Sequence, residues 1–332
     1  MGRNMLVDGK WHKDVEPWAD GSGEYDRVTT SFRDRIRDEP GAKFPAEPGR
    51  YHLYVSRNCP WAHGAALVRR LAGLTDAVSM DVVDPRRGDE GWAFTPGKDG
   101  CTADTVNGFS YLRNVYRLAD TGYTGRVTVP VLWDTARDTI VNNESIEIMR
   151  MLATEMGHLG DGIDLYPEGA REEIDEVVDA IYEPINDGVY RAGLADSQAA
   201  YETAVHDLFD ALDHWDDVLA DRRYLAAGRL SLADLRMFAT LIRFDTAYHG
   251  LFRCNLRRIV DYEHLWPYVR DLYGTPGIAE TVRLDHIREG YYGGIPELNP
   301  SGIVPVGPDL DLAADHDRDR LPGRSPAAAT GR

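Results

Sequence analysis

The stretch YHLYVSRNCPWAHGAALVRRLAGL, residues 51–74, decides how the chain folds. Its first part, YHLYV (51–55), is an aromatic and β-branched run that reads as a buried strand. Asn58–Cys59–Pro60 then makes a turn. AHGAALVRRLAGL (62–74) puts Leu67, Val68 and Leu71 on one helical face and ends near Gly73, a helix stop. A second apolar run, VSMDVVD (78–84), supplies the next strand. Strand, helix and strand in this order imply parallel pairing and a right-handed crossover.

Working outward, residues 84–107 form a Gly-, Pro- and charge-rich loop longer than a structural connection needs, a length that points to function. SYLRNVYRLAD (110–120) is a helix, VTVPVLWD (127–134) and DTIVN (138–142) are a hairpin of strands, and ESIEIMRMLATEM (144–156) is a helix. This order, β-α-β-α-β-β-α, predicts a thioredoxin-like domain over 51–156. Residues 1–50 read as an N-terminal extension wrapped on the surface. Apolar spacing of three to four over 171–191, 197–220, 231–248, 264–273 and 275–287 predicts an all-helical domain within 157–300. In LSLADL, Ser231 and Asp234 form a capping-box pattern, with Leu230 and Leu235 set as its hydrophobic staple. Residues 301–332 are a C-terminal segment without periodicity from Asp309 onward, expected to be disordered. The fold class is therefore α/β plus all-α.

The chain has 332 residues, with 55 Asp+Glu against 37 Lys+Arg and a formal net charge of −18. Such a surface repels phosphate backbones and anionic lipid heads, which excludes nucleic acid and membranes as expected partners. No run of about 18 apolar residues marks a membrane span, and the N-terminus lacks the apolar core of a signal peptide. Three cysteines, Cys59, Cys101 and Cys254, are too scattered for a disulfide framework, so a reducing cytoplasm is expected. Only four of the bases are lysine. An Asp-rich, Lys-poor surface suits a cytoplasm whose salt screens charge within a few ångströms.

Cys59 precedes the first turn of a helix, with Pro60 where a missing N–H costs nothing. Free amides and the helix dipole favour a thiolate there and are expected to lower its pKa. The motif is C-P-W-A, and Ala62 occupies the position where a dithiol oxidoreductase has its second cysteine. A mixed disulfide at Cys59 must therefore be released by an external thiol. In the thioredoxin architecture a proline placed as Pro130 is cis and faces the cysteine, and Val129 before it offers its N–H and C=O to an extended thiol. Glu144–Ser145, opening the next helix, suits the amino and carboxylate ends of a γ-glutamyl group. Cys101 and Cys254 read as passive, and His63 as a helix-surface residue.

Together with GRVTVPVLWD, IVNNESIEIMRML, TLIRFDTAYHGLFRCN, RDLYGTPGIAETV and NPSGIVPVGP, the opening stretch resembles the glutathionyl-hydroquinone reductases, the Xi class of glutathione transferases. The resemblance runs from about Trp11 to Pro308. It implies a thioredoxin-like plus helical architecture, a homodimer, no metal, and thiol-dependent removal of glutathione from glutathionyl-hydroquinones through a Cys59 mixed disulfide. By motif it implies a thiol site of Trp92, Arg126, Val129, Glu144 and Ser145, and substrate-facing phenols at Tyr190, in a Gly-flanked break between helices, and at Tyr291. The co-substrate is glutathione, or in a salty cytoplasm the shorter γ-glutamylcysteine. Arg57, Asn58 and Gly64 depart from the family pattern: the first two are expected to reshape the entrance, and Gly64 to remove an anion contact. An omega-like thioltransferase or dehydroascorbate reductase would use the same cysteine cycle. A non-catalytic transferase-like module would not need the intact Cys–Pro turn.

Overall fold

A computed structural model describes residues 3–16, 21–25, 27 and 29–324. The N-terminal extension holds more regular structure than its polar texture suggests. Arg3–Val7 (β1) and Lys10–Glu16 (β2) form an antiparallel hairpin. Its turn is Asp8–Gly9, both at positive φ (47° and 71°), the geometry that Asp-Gly favours between two strands. Leu6 is buried and exchanges backbone hydrogen bonds with Gly125 at 3.0 and 2.9 Å, which fastens the hairpin to the body.

The expected βαβ unit follows. Tyr51–Val55 (β3) pairs in parallel with Val78–Val82 (β4), and Pro60–Leu71 (α1) crosses between them. All five residues of β3 are buried, as a strand covered on both faces requires. Helix α1 starts two residues earlier than the apolar spacing suggests, at the proline. It ends where Gly73 turns left-handed (φ 73°) and the amides of Gly73 and Leu74 return to the carbonyls of Arg70 and Arg69. Leu112–Ala119 (α2), Val131–Asp134 (β5), Thr139–Asn142 (β6) and Ser145–Ala153 (α3) complete the domain. The sheet order is β4-β3-β5-β6, with β5 antiparallel to both neighbours. Strand β5 begins only after the Val129–Pro130 bond, which is cis.

The second half is helical. Arg171–Ile181 (α4) continues through a π-helical turn, Tyr182–Asn186, into Gly188–Gly193 (α5), where Tyr190 lies. The widened turn, with the Asp187 amide bonded to the Tyr182 carbonyl, is thus the break, and Tyr190 sits on the helix after it. Gln198–Asp221 (α6) is capped by Ser197. Leu232–Arg243 (α7) opens with the expected capping box and runs into a second π-helical turn, Phe244–Tyr248, and the single turn His249–Leu251 (α8). Leu230 and Leu235 are both buried, as staple residues should be. Helix α1 packs on α3 and α7, which joins the two halves.

Two expectations fail here. Residues 275–287 are not one helix: Pro276 and Gly277 (φ 96°) break the chain, and the helix comes later, at Leu284–Gly294 (α10), after Leu265–Gly274 (α9). Nor does order end at Asp309. Leu312 is buried, and the Arg318 guanidinium donates to the carbonyls of Leu219, Arg222 and Arg223 at the end of α6. Asp319 pairs with Arg223 at 2.7 Å, and the Arg324 amide bonds to the Gly228 carbonyl. Side-chain bonds to backbone hold this segment, so its sequence shows no apolar period. The remaining tail, residues 325–332, lies outside the described residues.

Candidate active site

Cys59 occupies the N-cap of α1 in an extended conformation, with Pro60 as the first helical residue. Its sulfur lies 3.6 Å from the Val129 carbonyl, which accepts from the thiol across the cis peptide bond. The amides of Trp61 and Ala62 face it. Burial pushes the thiol up; the Ala62 amide, the Arg243 charge, the Trp61 amide and the Arg27 charge act against that. The helix-end stabilisation expected from the sequence is present, but burial outweighs it, so the expected lowering of the pKa does not appear.

Cys59, Trp92, Arg126, Val129, Tyr190 and Tyr291 line one cleft of about 840 Å³ that opens to solvent. Glu144 and Ser145 line an adjoining pocket, and the two share Trp61, Thr128 and Val129. The eight residues singled out from the sequence therefore meet at one place. Trp92 is held there by backbone bonds from Leu112 to Trp92 (2.9 Å) and from Asp84 to Ala93 (2.8 Å), which fold the long loop over the cleft. Glu144 stands at the N-cap of α3, but its side chain does not cap. It accepts instead from Thr30 Oγ1 at 3.1 Å, while Ser145 Oγ accepts from Arg236 at 2.8 Å.

The phenols form a chain. Tyr291 OH is 2.6 Å from Tyr190 OH and 2.8 Å from Tyr248 OH. Burial raises the pKa of all three, so each hydroxyl keeps its proton at neutral pH. The neighbour Tyr292 is only half-buried, and the cleft is lined by Tyr291 instead.

The family models for the glutathione S-transferase N-terminal domain and C-terminal domain match residues 58–155 and 198–271. The glutathionyl-hydroquinone reductase PcpF of Sphingobium chlorophenolicum is 45% identical over 313 residues, 93% of this chain and 97% of that protein. A solved Xi class GST from Natrialba magadii superposes with a TM-score of 0.91 at 56% identity, covering 97% of this chain and 98% of its own. The glutathione-bound structure of YqjG, a glutathione transferase homolog from Escherichia coli K-12, gives a TM-score of 0.86 at 41% identity, over 95% and 99%. The chain belongs to the Xi class of glutathione transferases.

This Xi-class site holds residues that sequence reasoning passed over. Trp61, inside the motif itself, meets two guanidinium groups, Arg27 and Arg236, each 4.5 Å from the ring centroid. Arg27 comes from the extension and ion-pairs with Asp187; nothing in its local sequence marks it. Arg236 and Arg243 carry a readable signal: two arginines seven apart in the mainly apolar LADLRMFATLIRF, both buried.

Other expectations need correction. His63 is buried, not on the helix surface. Its Nε2 lies 2.7 Å from Thr281 Oγ1, and burial together with Arg243 holds its pKa well below the usual value. Gly64 marks the close approach of α1 to α3: a Cβ there would meet Met149 Sδ at 2.7 Å, so no basic side chain fits and no anion contact is at stake. Asn58, with its Oδ1 accepting from Ser56 at 2.6 Å, packs against Gly290, where a Cβ would come within 2.2 Å of Asn58 Nδ2. Cys254 is wholly buried and burial raises its pKa; burial also raises that of Cys101, whose sulfur lies 3.8 Å from the Val83 carbonyl. Among the described residues no group of three or more His, Cys, Asp and Glu is arranged to hold a metal ion. No helix there is long and apolar enough to cross a membrane.

Proposed function

We propose that this chain is a glutathionyl-hydroquinone reductase. The observation that carries the reading is one cysteine at a helix N-terminus, without a second on its turn, facing a chain of protonated phenols across a single cleft. The thiol domain is 51–156 and the substrate domain 157–300. In the Glu144 pocket, the carboxylate takes the α-ammonium of a γ-glutamyl group, and Ser145 with Arg236 takes its α-carboxylate. The backbone of Val129 pairs with the cysteinyl unit, Arg126 takes the glycyl carboxylate, and the Trp92 indole lies over the ligand. Tyr190 and Tyr291 hold the hydroquinone oxygens.

The chemistry needs two thiol steps. The conjugate is protonated at the ring carbon that bears sulfur. The Cys59 thiolate attacks that sulfur, an S–S bond forms, the C–S bond breaks, and its electron pair leaves with the ring as free hydroquinone. A second glutathione thiolate attacks the mixed disulfide and expels Cys59, giving glutathione disulfide. With γ-glutamylcysteine in place of glutathione the steps are the same, but Arg126 loses its partner.

We place the enzyme in the cytoplasm as a homodimer. The exposed apolar Ile303 and Val306, at 71% and 97% of their full accessibility, support an assembly face. Mass spectrometry after exposure to a glutathionyl-hydroquinone tests the mechanism. We expect one glutathione adduct on Cys59, none in Cys59→Ala, and release by added thiol. Hydroquinone turnover without that adduct would sink the mechanism.

A further inference from the structure

Arg243, the last residue of α7, is wholly buried, and every one of its five N–H groups is used. Nε donates to the Asn58 carbonyl at 2.8 Å; Nη2 donates to the carbonyls of Arg57 (2.9 Å) and Cys59 (3.4 Å); Nη1 donates to the Ala239 carbonyl (2.6 Å) and His63 Nδ1 (3.0 Å). An arginine only donates, so His63 Nδ1 must accept and Nε2 must carry the proton. Nε2 then donates to Thr281 Oγ1, whose own hydroxyl donates to the Ile278 carbonyl at 2.7 Å. That network keeps His63 neutral. Among the described residues no carboxylate pairs with Arg243: its acceptors are carbonyl dipoles and one neutral ring. A buried cation without a counter-ion is costly, and here it bonds the carbonyl of Cys59, the one cysteine lining the cleft among the described residues.

We propose that Arg243 is the positioning residue of the Cys59 turn: it fixes the three carbonyls of Arg57–Cys59 from the helical half and sets an unmatched positive charge beside the sulfur. The thiolate, once formed, is the counter-ion that the guanidinium lacks. This rests on the reading of Cys59 as the nucleophile. It also ties the catalytic turn of one domain to a helix of the other, since no residue of 51–156 supplies an equivalent fork. The cations lining the cleft are Arg87 from the long loop and Arg126 before β5; Arg27 from the extension and Arg236 line the adjoining pocket, and the phenols Tyr190, Tyr248 and Tyr291 stay protonated. Of the charges acting on the sulfur, that of Arg243 is the larger and Arg27 the lesser.

The pH dependence of Cys59 alkylation by iodoacetamide in the full-length protein reads this directly and needs no hydroquinone. Arg243→Gln should raise the midpoint by about one unit and slow alkylation at pH 7 roughly tenfold. Arg243→Lys keeps the charge but cannot fork to three carbonyls, so its midpoint should stay near that of the unaltered protein while turnover falls. If both variants keep the original midpoint, or both move equally, the assignment is overturned. Should Arg243→Gln not fold, the unaltered protein still decides: the Arg243 Nε–H resonance should shift with the Cys59 titration, and a resonance that ignores it overturns the proposal. Absence of hydroquinone turnover in the unaltered protein, with these pH profiles as expected, counts against the functional reading alone.

Discussion

Three hydroxyls, three protons and two shared hydrogen bonds leave one proton over in the Tyr248–Tyr291–Tyr190 chain. Tyr190 and Tyr291 line the cleft and Tyr248 does not, so the spare proton serves a ligand when the chain runs from Tyr248 toward Tyr190. Such chains polarise in one direction. Tyr190→Phe removes the terminal donor and should lower hydroquinone turnover by about 10²–10³, with glutathione binding unchanged by calorimetry. Tyr248→Phe should cost less, because Tyr291 and Tyr190 still pair. Turnover unchanged in both would mean that the phenols act only by packing, since Phe keeps the ring and lacks only the hydroxyl. Tyr190 and Tyr291 were legible through family motifs. Tyr248 was not, since its role exists only through a hydroxyl 2.8 Å away on another helix. The same holds for Arg27, which reaches Trp61 from far along the chain.

Helix α7 shows what is legible at the level of elements. Its start was written in four residues, and the structure adds what they could not say: Asp234 also accepts from the Leu225 amide and from Tyr268 OH, each at 2.9 Å. Burial nevertheless pushes its carboxyl up from 3.8 to about 6. The sign follows from the raised value. Between about pH 4 and 6 the folded chain holds this proton more firmly than the unfolded chain, so its contribution to stability is complete below pH 4 and is lost as pH rises through 6. Urea unfolding of the unaltered protein and of Asp234→Asn should therefore show a stability difference that falls across that window and is flat above it. A flat difference throughout would mean an ionised carboxylate satisfied by its four donors. The β1–β2 hairpin carries a local signal too, the Asp8–Gly9 turn between its two strands. The region 275–287 misled because apolar spacing persists through Pro276–Gly277, where the backbone cannot be helical. For the segment after Asp309, Arg318→Ala should cost about 3 kcal/mol in the same assay, because three carbonyls lose their donor; an unchanged midpoint would show that the segment is not held there.

At the scale of the molecule the net charge of −18 sits apart from the catalytic chemistry. Around the Cys59 sulfur the influential charges are positive, while the acids are carried mainly by linkers and exposed helix faces. Repulsion over such a surface is screened within about 3 Å at 1 M salt, so the melting temperature should climb by several degrees from dilute buffer to molar KCl. Equal or greater stability in dilute buffer would remove the argument for a salty cytoplasm. One consequence belongs to the order in which the chain is made. Cys59 emerges from the ribosome early, whereas Arg243 and Tyr291 emerge late, and the carbonyls at the end of α6 wait longer still for Arg318. Until the helical half follows, the nascent chain therefore carries an unshielded thiol without its guanidinium or its phenols. The site becomes both protected and competent only once the helical half has emerged and packed on the Cys59 turn.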